Sequence, residues 1–242
     1  MFIFILAGCA FAGYATWLRA KTLTARRTHT GNGARSRMKP ATRTALWMGA
    51  AFGAALAVAV GAMVIKGIGP SGVGVGLRLT ARLSFFFFWP AYVSGAVTTL
   101  FGPALDIMAR RAREFGLAYA SAQLVHVGLV IRLAWISPPQ PLLDAVMPFF
   151  AIGIVWTSLL TISSMDRVHN MCSPYFLRVL RTIGLEYIAL TFFTDFVVLA
   201  HQPLRDPILN GILYVPFWGM LVVGPLLRLA ATVRRAYSLR PA

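Results

Sequence analysis

Four ionisable residues lie inside or at the edge of long apolar stretches: His126, Arg132, Glu186 and Asp195. Such groups are costly in lipid, so they face a bundle interior and mark candidate sites of chemistry. A neutral imidazole at mid-membrane is a common way for a helical bundle to hold a b-type haem, which makes His126 a candidate axial, metal-binding ligand. At about 1.5 Å of rise per residue, His126 and Asp195 sit about 17 and about 20 Å along their helices, at similar depth. The competing reading is that His126 and Asp195 satisfy each other or a neighbour such as Gln123. A third is a proton relay built on the same pair. Arg132, about 9 Å further along than His126, reaches the interface by snorkelling. Glu186 lies near the opposite interface, within reach of Arg178 and Arg181 for an ion pair.

Other chemistries find little support. His29, His126, His169 and His201 show no His-x-x-x-His or Glu-x-x-His spacing for zinc or di-iron. The lysines, Lys21, Lys39 and Lys66, all fall outside the spans, so no retinal Schiff base is expected. Gly67, Gly69, Gly72, Gly74 and Gly76 lack the spacing of a phosphate-binding loop and read as a flexible extramembrane connection. Cys9 and Cys172 fall on opposite sides of the membrane, which argues against a disulfide. Leu6-Ala7-Gly8-Cys9 looks like a lipoprotein cleavage box, but its apolar lead is short, so the segment reads as an uncleaved anchor.

The elements that position these groups are membrane spans. Of 242 residues, 58% are hydrophobic and 12% charged, against about 45–50% and about 25% in soluble domains. Apolar stretches at 45–65, 83–105, 115–136, 145–165, 182–200 and 208–227 are each long enough for a hydrocarbon core of about 30 Å. The expectation is an all-α polytopic transmembrane bundle: an N-terminal anchor at 1–18, a basic cytoplasmic loop at 19–44, and a six-helix domain at 45–242. Alternating the loops puts 18 of the 23 Lys+Arg residues on one side and 5 on the other. The positive-inside bias makes the first side cytoplasmic, with the C-terminus there, and accounts for the net charge of +16 without a nucleic-acid partner. Gly49 and Gly53 form a Gly-x-x-x-Gly pair for close packing within the subunit or with a partner. The run Phe85 to Phe88 reads as lipid contact and interfacial anchoring. High Ala, Arg and Gly with scarce Lys points to a GC-rich bacterial genome and hence an inner-membrane address.

The region 82–227 resembles the ferric reductase-like transmembrane domain family, particularly the bacterial haem-binding membrane subunits that support periplasmic methionine sulfoxide reductase. The residues that carry the likeness are Arg110, Arg111 and Arg113, then Phe115-Gly116-Leu117-Ala118-Tyr119, then Leu124-Val125-His126, with the histidine ten residues after Gly116. Arg181 and Thr194 stand where the family has two further histidines. The resemblance implies a bundle that passes electrons across the membrane through haem b on His126, with Asp195 and Arg132 tuning polarity or holding propionates. The loops are too short for a soluble catalytic domain, so the donor is a partner protein. The alternatives are a cofactor-less scaffold or assembly subunit of the same fold, in contact with membrane lipid and a protein partner, and a small proton-coupled transporter.

Overall fold

The computed structural model describes residues 40–137, 141–197 and 207–238. Helix α1 spans Pro40–Lys66, α2 Pro70–Phe101, α3 Asp106–Ile136, α4 Pro141–Ser163, α5 Asp166–Met171, α6 Pro174–Val197 and α7 Pro207–Ser238, with a 3-10 turn at Gly102–Leu105. No strand occurs among the described residues. The chain is an all-α bundle: the expected spans 45–65, 115–136 and 208–227 lie inside α1, α3 and α7, 83–105 and 145–165 run past the ends of α2 and α4, and 182–200 is described in α6 as far as Val197. The anchor at 1–18, most of the basic loop, and Cys9, His29, His201 and Arg205 lie outside the described residues, as does the side chain of His169.

Four helices are long and apolar enough to cross a bilayer: α1 from Ala41, α2, α3, and α7 from Val215. In α4, residues Met147–Ser163 form a shorter apolar helix, while α6 carries Arg178, Arg181, Glu186 and Asp195 within 24 residues. The outer surface is apolar, with Leu56, Val60, Val64, Val222 and Leu226 all exposed. A solvated surface of that kind over several helices would aggregate, whereas a bilayer covers it. The protein is a multi-pass membrane protein.

Helices α1, α2 and α3 make the most tightly packed unit, and α7 lies along α2. The seam on α1 consists of Met48, Ala51, Ala55, Ala59 and Ala62, each at most 5% exposed, at the three- and four-residue spacing that keeps one helix face against its neighbours. Gly49 and Gly53 face outward, with nothing within 4 Å of a Cβ placed on either. Their packing within the subunit is therefore corrected: alanines make the α1 seam.

The glycine-rich stretch is corrected as well. The turn is confined to 67–69, where Gly67 adopts φ 86° and ends α1 in the left-handed region that favours glycine. Gly72, Gly74 and Gly76 lie inside α2. A Cβ on Gly76 would meet Leu129 Cδ1 at 3.4 Å and Ala59 Cα at 3.7 Å, so glycine lets α2 approach both α1 and α3, as small residues do in membrane bundles.

The phenylalanine run divides between two environments. Phe85 and Phe88 are each 1% exposed, whereas Phe86 is 57% exposed. Phe85 meets Phe192, Phe196 and Phe217 with ring centroids 5.0, 5.4 and 5.9 Å away, and Phe88 stacks on Tyr92 at 5.4 Å. Only part of the run contacts lipid; the rest is an aromatic core joining α2 to α6 and α7, in the offset and edge-on arrangements that ring quadrupoles favour.

Most hydroxyls on these helices bond to their own backbone. Thr98, Thr157, Ser158, Thr161, Thr182, Thr194 and Thr232 each donate to the carbonyl four residues earlier, at 2.7–3.0 Å. That pairing satisfies a hydroxyl without a neighbouring helix.

Candidate functional site

His126, Asp195, Glu186 and Glu114 each meet a partner set by helix packing. His126 Nδ1 lies 3.1 Å from Thr80 Oγ1 across the α2–α3 seam, and the ring also hydrogen-bonds with the Leu77 carbonyl. Thr80 Oγ1 in turn donates to the Gly76 carbonyl at 2.8 Å. Asp195 faces the guanidinium of Arg82, which is 6% exposed, sits 6.0 Å from the Phe196 ring centroid and donates to the Arg78 carbonyl at 2.8 Å. His126 and Asp195 thus have separate partners. Arg132 is exposed and donates to the Ile68 carbonyl at 3.3 Å, at the α1–α2 turn. That placement matches an interfacial side chain.

Glu186 pairs with neither Arg178 nor Arg181. Its Oε1 lies 2.7 Å from Arg228 Nε on α7, and its Oε2 accepts the Tyr92 hydroxyl at 2.8 Å. Arg228 also donates to the Tyr92 carbonyl at 3.0 Å, with its Cζ 4.6 Å from the Tyr92 ring centroid. The i, i+5 and i, i+8 offsets to the nearby arginines put them off the Glu186 face, while α7 brings Arg228 to it. A second cross-helix pair joins Arg43 on α1 to Glu114 on α3 at 2.5 Å.

Thr80 meets Nδ1 of His126, which leaves Nε2 as the nitrogen open to a ligand, and the ring sits in the closely packed α2–α3 interface, outside the lining of the two cavities described below.

The larger cavity lies elsewhere. Helices α4 and α6 pair with each other and touch α2, α3 and α7 only sparsely, leaving a space of about 790 Å³ between the two groups. Gly153 and Gly184 set that pairing: a Cβ on Gly184 would meet Trp156 Cε3 at 2.9 Å, and one on Gly153 would meet Thr191 Cγ2 at 3.0 Å. The cavity opens at the bundle end formed by the C-termini of α2, α4 and α7 and the N-termini of α3 and α6. Arg113, Arg178, Arg181, Arg228 and Arg235 line it, together with Tyr119, Thr157, Thr161, Ser164 and Thr232, and among the described residues no carboxylate does. Arg235 donates to Thr99 Oγ1 at 2.6 Å, and Arg228 is neutralised by Glu186. Arg178 and Arg181 are exposed and have no partner among the described residues.

Guanidinium groups around one concave space can receive an anion, because each presents planar donors matched to phosphate or carboxylate oxygens. Sequence reading uses these arginines as markers of orientation, as ion-pair partners for Glu186 and as part of the family resemblance, but does not bring them together. The signal it misses is their placement: Arg228 and Arg235 are seven apart on one face of α7, and Arg178 and Arg181 three apart on α6.

Comparison of the chain with protein-family models, curated proteins and solved structures gives no match.

Proposed function

We propose that this membrane protein binds an anionic ligand in the arginine-lined cavity, on the cytoplasmic face of a bacterial inner membrane. The observation that carries the reading is the lining itself: five arginines, no carboxylate among the described residues, and a volume of about 790 Å³, within the roughly 300–1,000 Å³ of ligand sites. The cytoplasmic assignment rests on the 18-to-5 distribution of basic residues. Arg178 and Arg181, free of protein partners among the described residues, supply the attractive charge, and the hydroxyls around them supply further hydrogen bonds.

The test is thermal unfolding of the full chain in mild detergent with inorganic phosphate against chloride at matched ionic strength. Phosphate is expected to raise the midpoint, and Arg178→Gln with Arg181→Gln to abolish the rise. Equal midpoints in phosphate and chloride would overturn the reading.

The electron-transfer function implied by the ferric reductase-like resemblance has a different signature. It requires haem on His126, whose Nδ1 already meets Thr80. A reduced-minus-oxidised spectrum after expression with haem supplied separates the two: the anion-binding reading expects no b-type band that depends on His126.

A further inference from the structure

A second cavity, about 380 Å³, lies between α2, α6 and α7. Its walls are almost wholly apolar, including Phe85, Trp89, Leu190, Phe193 and Met220. It shares Phe88 and Tyr92 with the basic cavity, so the two spaces adjoin across those rings. Leu190 and Phe193, on its α6 wall, are 50% and 47% exposed, so this wall also forms part of the lipid-facing surface, where α6 and α7 touch only sparsely.

The rim shared by the two spaces is polar. Tyr92, Glu186 and Arg228 lock together there through the 2.8, 2.7 and 3.0 Å contacts described above. Close approach of α7 holds Tyr92 in place: a Cβ on Gly224 would meet Tyr92 Cε1 at 2.9 Å and Trp89 Nε1 at 3.3 Å. Glu186 lies on the apolar side of this boundary, with its charge balanced by Arg228. The unbalanced positive charge of Arg178 and Arg181 lies on the other side.

A charged chamber joined to an apolar slot at the bilayer matches an amphiphile with an anionic head and a hydrocarbon chain. Basic pockets between membrane helices bind acidic lipid head groups in this way. Building on the anion-binding reading, we propose that the ligand is an acidic phospholipid from the surrounding bilayer, its phosphate on Arg178 and Arg181 and one chain in the α2/α6/α7 slot. A free anion would fill the first chamber and leave the second without a role, whereas a lipid uses both. The separation of the two chambers also assigns them separable effects: the arginines determine the charge of the ligand, and the slot determines whether it carries a chain.

The test uses the full chain in two arms. In the first, native mass spectrometry measures retention of phosphatidylglycerol against phosphatidylcholine, beside the phosphate-induced rise in unfolding midpoint. Ala189→Trp, which fills the slot, is expected to lower phosphatidylglycerol retention at least tenfold and leave the phosphate effect intact. Arg178→Gln with Arg181→Gln is expected to abolish both. Equal retention of the two lipids by the wild-type protein, or unchanged phosphatidylglycerol retention in Ala189→Trp, overturns the lipid proposal. Loss of the phosphate effect in the wild type overturns the anion-binding reading beneath it.

The second arm needs no variant. Phosphatidylglycerol with a photoreactive group at the end of one chain is crosslinked to the wild-type protein, and the modified peptides are identified. Labels concentrated on Trp89, Leu190, Phe193 and Met220 support the proposal. Labels spread over the outward faces of α1 and α3 overturn it.

Discussion

Two glycine-to-alanine substitutions distinguish packing seen in the structure from packing inferred from motif. Gly184 on α6 has no room for a methyl group: its Cβ would meet Trp156 Cε3 at 2.9 Å and Leu160 Cδ1 at 3.1 Å. Gly53 on α1, half of the Gly-x-x-x-Gly pair, is open to the outside, with nothing within 4 Å. Alanine gains about 0.5–1 kcal/mol over glycine in a helix interior at either position, so this term cancels between the variants. What remains is overpacking at Gly184, about 1–3 kcal/mol. Gly184→Ala should therefore be about 1–3 kcal/mol less stable than Gly53→Ala, which should match or exceed the wild type. Reversible unfolding of each variant in mixed micelles, followed by circular dichroism, gives the comparison. If Gly53→Ala destabilises the protein and Gly184→Ala does not, the α4–α6 seam is wrong and the Gly49/Gly53 face is covered by another helix.

Three further outcomes follow from the packing and the charge pairs. Phe85→Ala, at the centre of the aromatic core, should cost about 3–5 kcal/mol in the same assay, whereas Phe86→Ala, on the exposed face, should cost well under 1 kcal/mol. Glu186→Gln leaves Arg228 without its counter-charge, so phosphate should bind more tightly; the stability loss should be only about 1 kcal/mol, because the carboxylate side chain is 49% exposed and solvent screens the pair. Unchanged phosphate affinity would refute the electrostatic account of the cavity. His126→Ala should lower the unfolding midpoint through loss of the Thr80 contact and leave phosphate binding unchanged; loss of phosphate binding would place His126 in the site.

The spans were legible because apolar length is a local property of the chain; their ends were less so, since 83–105 and 145–165 overrun α2 and α4 by a few residues. The glycine-rich segment was misread because glycine signals a turn in water, yet in lipid it serves close helix contact, as Gly76 does beside Ala59 and Leu129. The Phe85–Phe88 run reads from the sequence as lipid contact, but four consecutive positions point all round a helix, and Phe85 and Phe88 are buried. The partner of Glu186 is 42 residues away on α7, so nearby arginines were a poor guide. The cavity was invisible for a related reason: it arises where α4 and α6 stand away from the other helices, and no motif records that gap.

The self-bonded hydroxyls have a consequence for biogenesis. A helix whose threonines and serines are satisfied by its own carbonyls can partition into the bilayer before its neighbours exist, so these groups impose little order on insertion. Glu186 and Asp195 differ, because their counter-charges are on other helices. Arg82 has already been synthesised when α6 leaves the ribosome, but Arg228 has not. Helix α6 therefore reaches its final charge balance only after α7 is made.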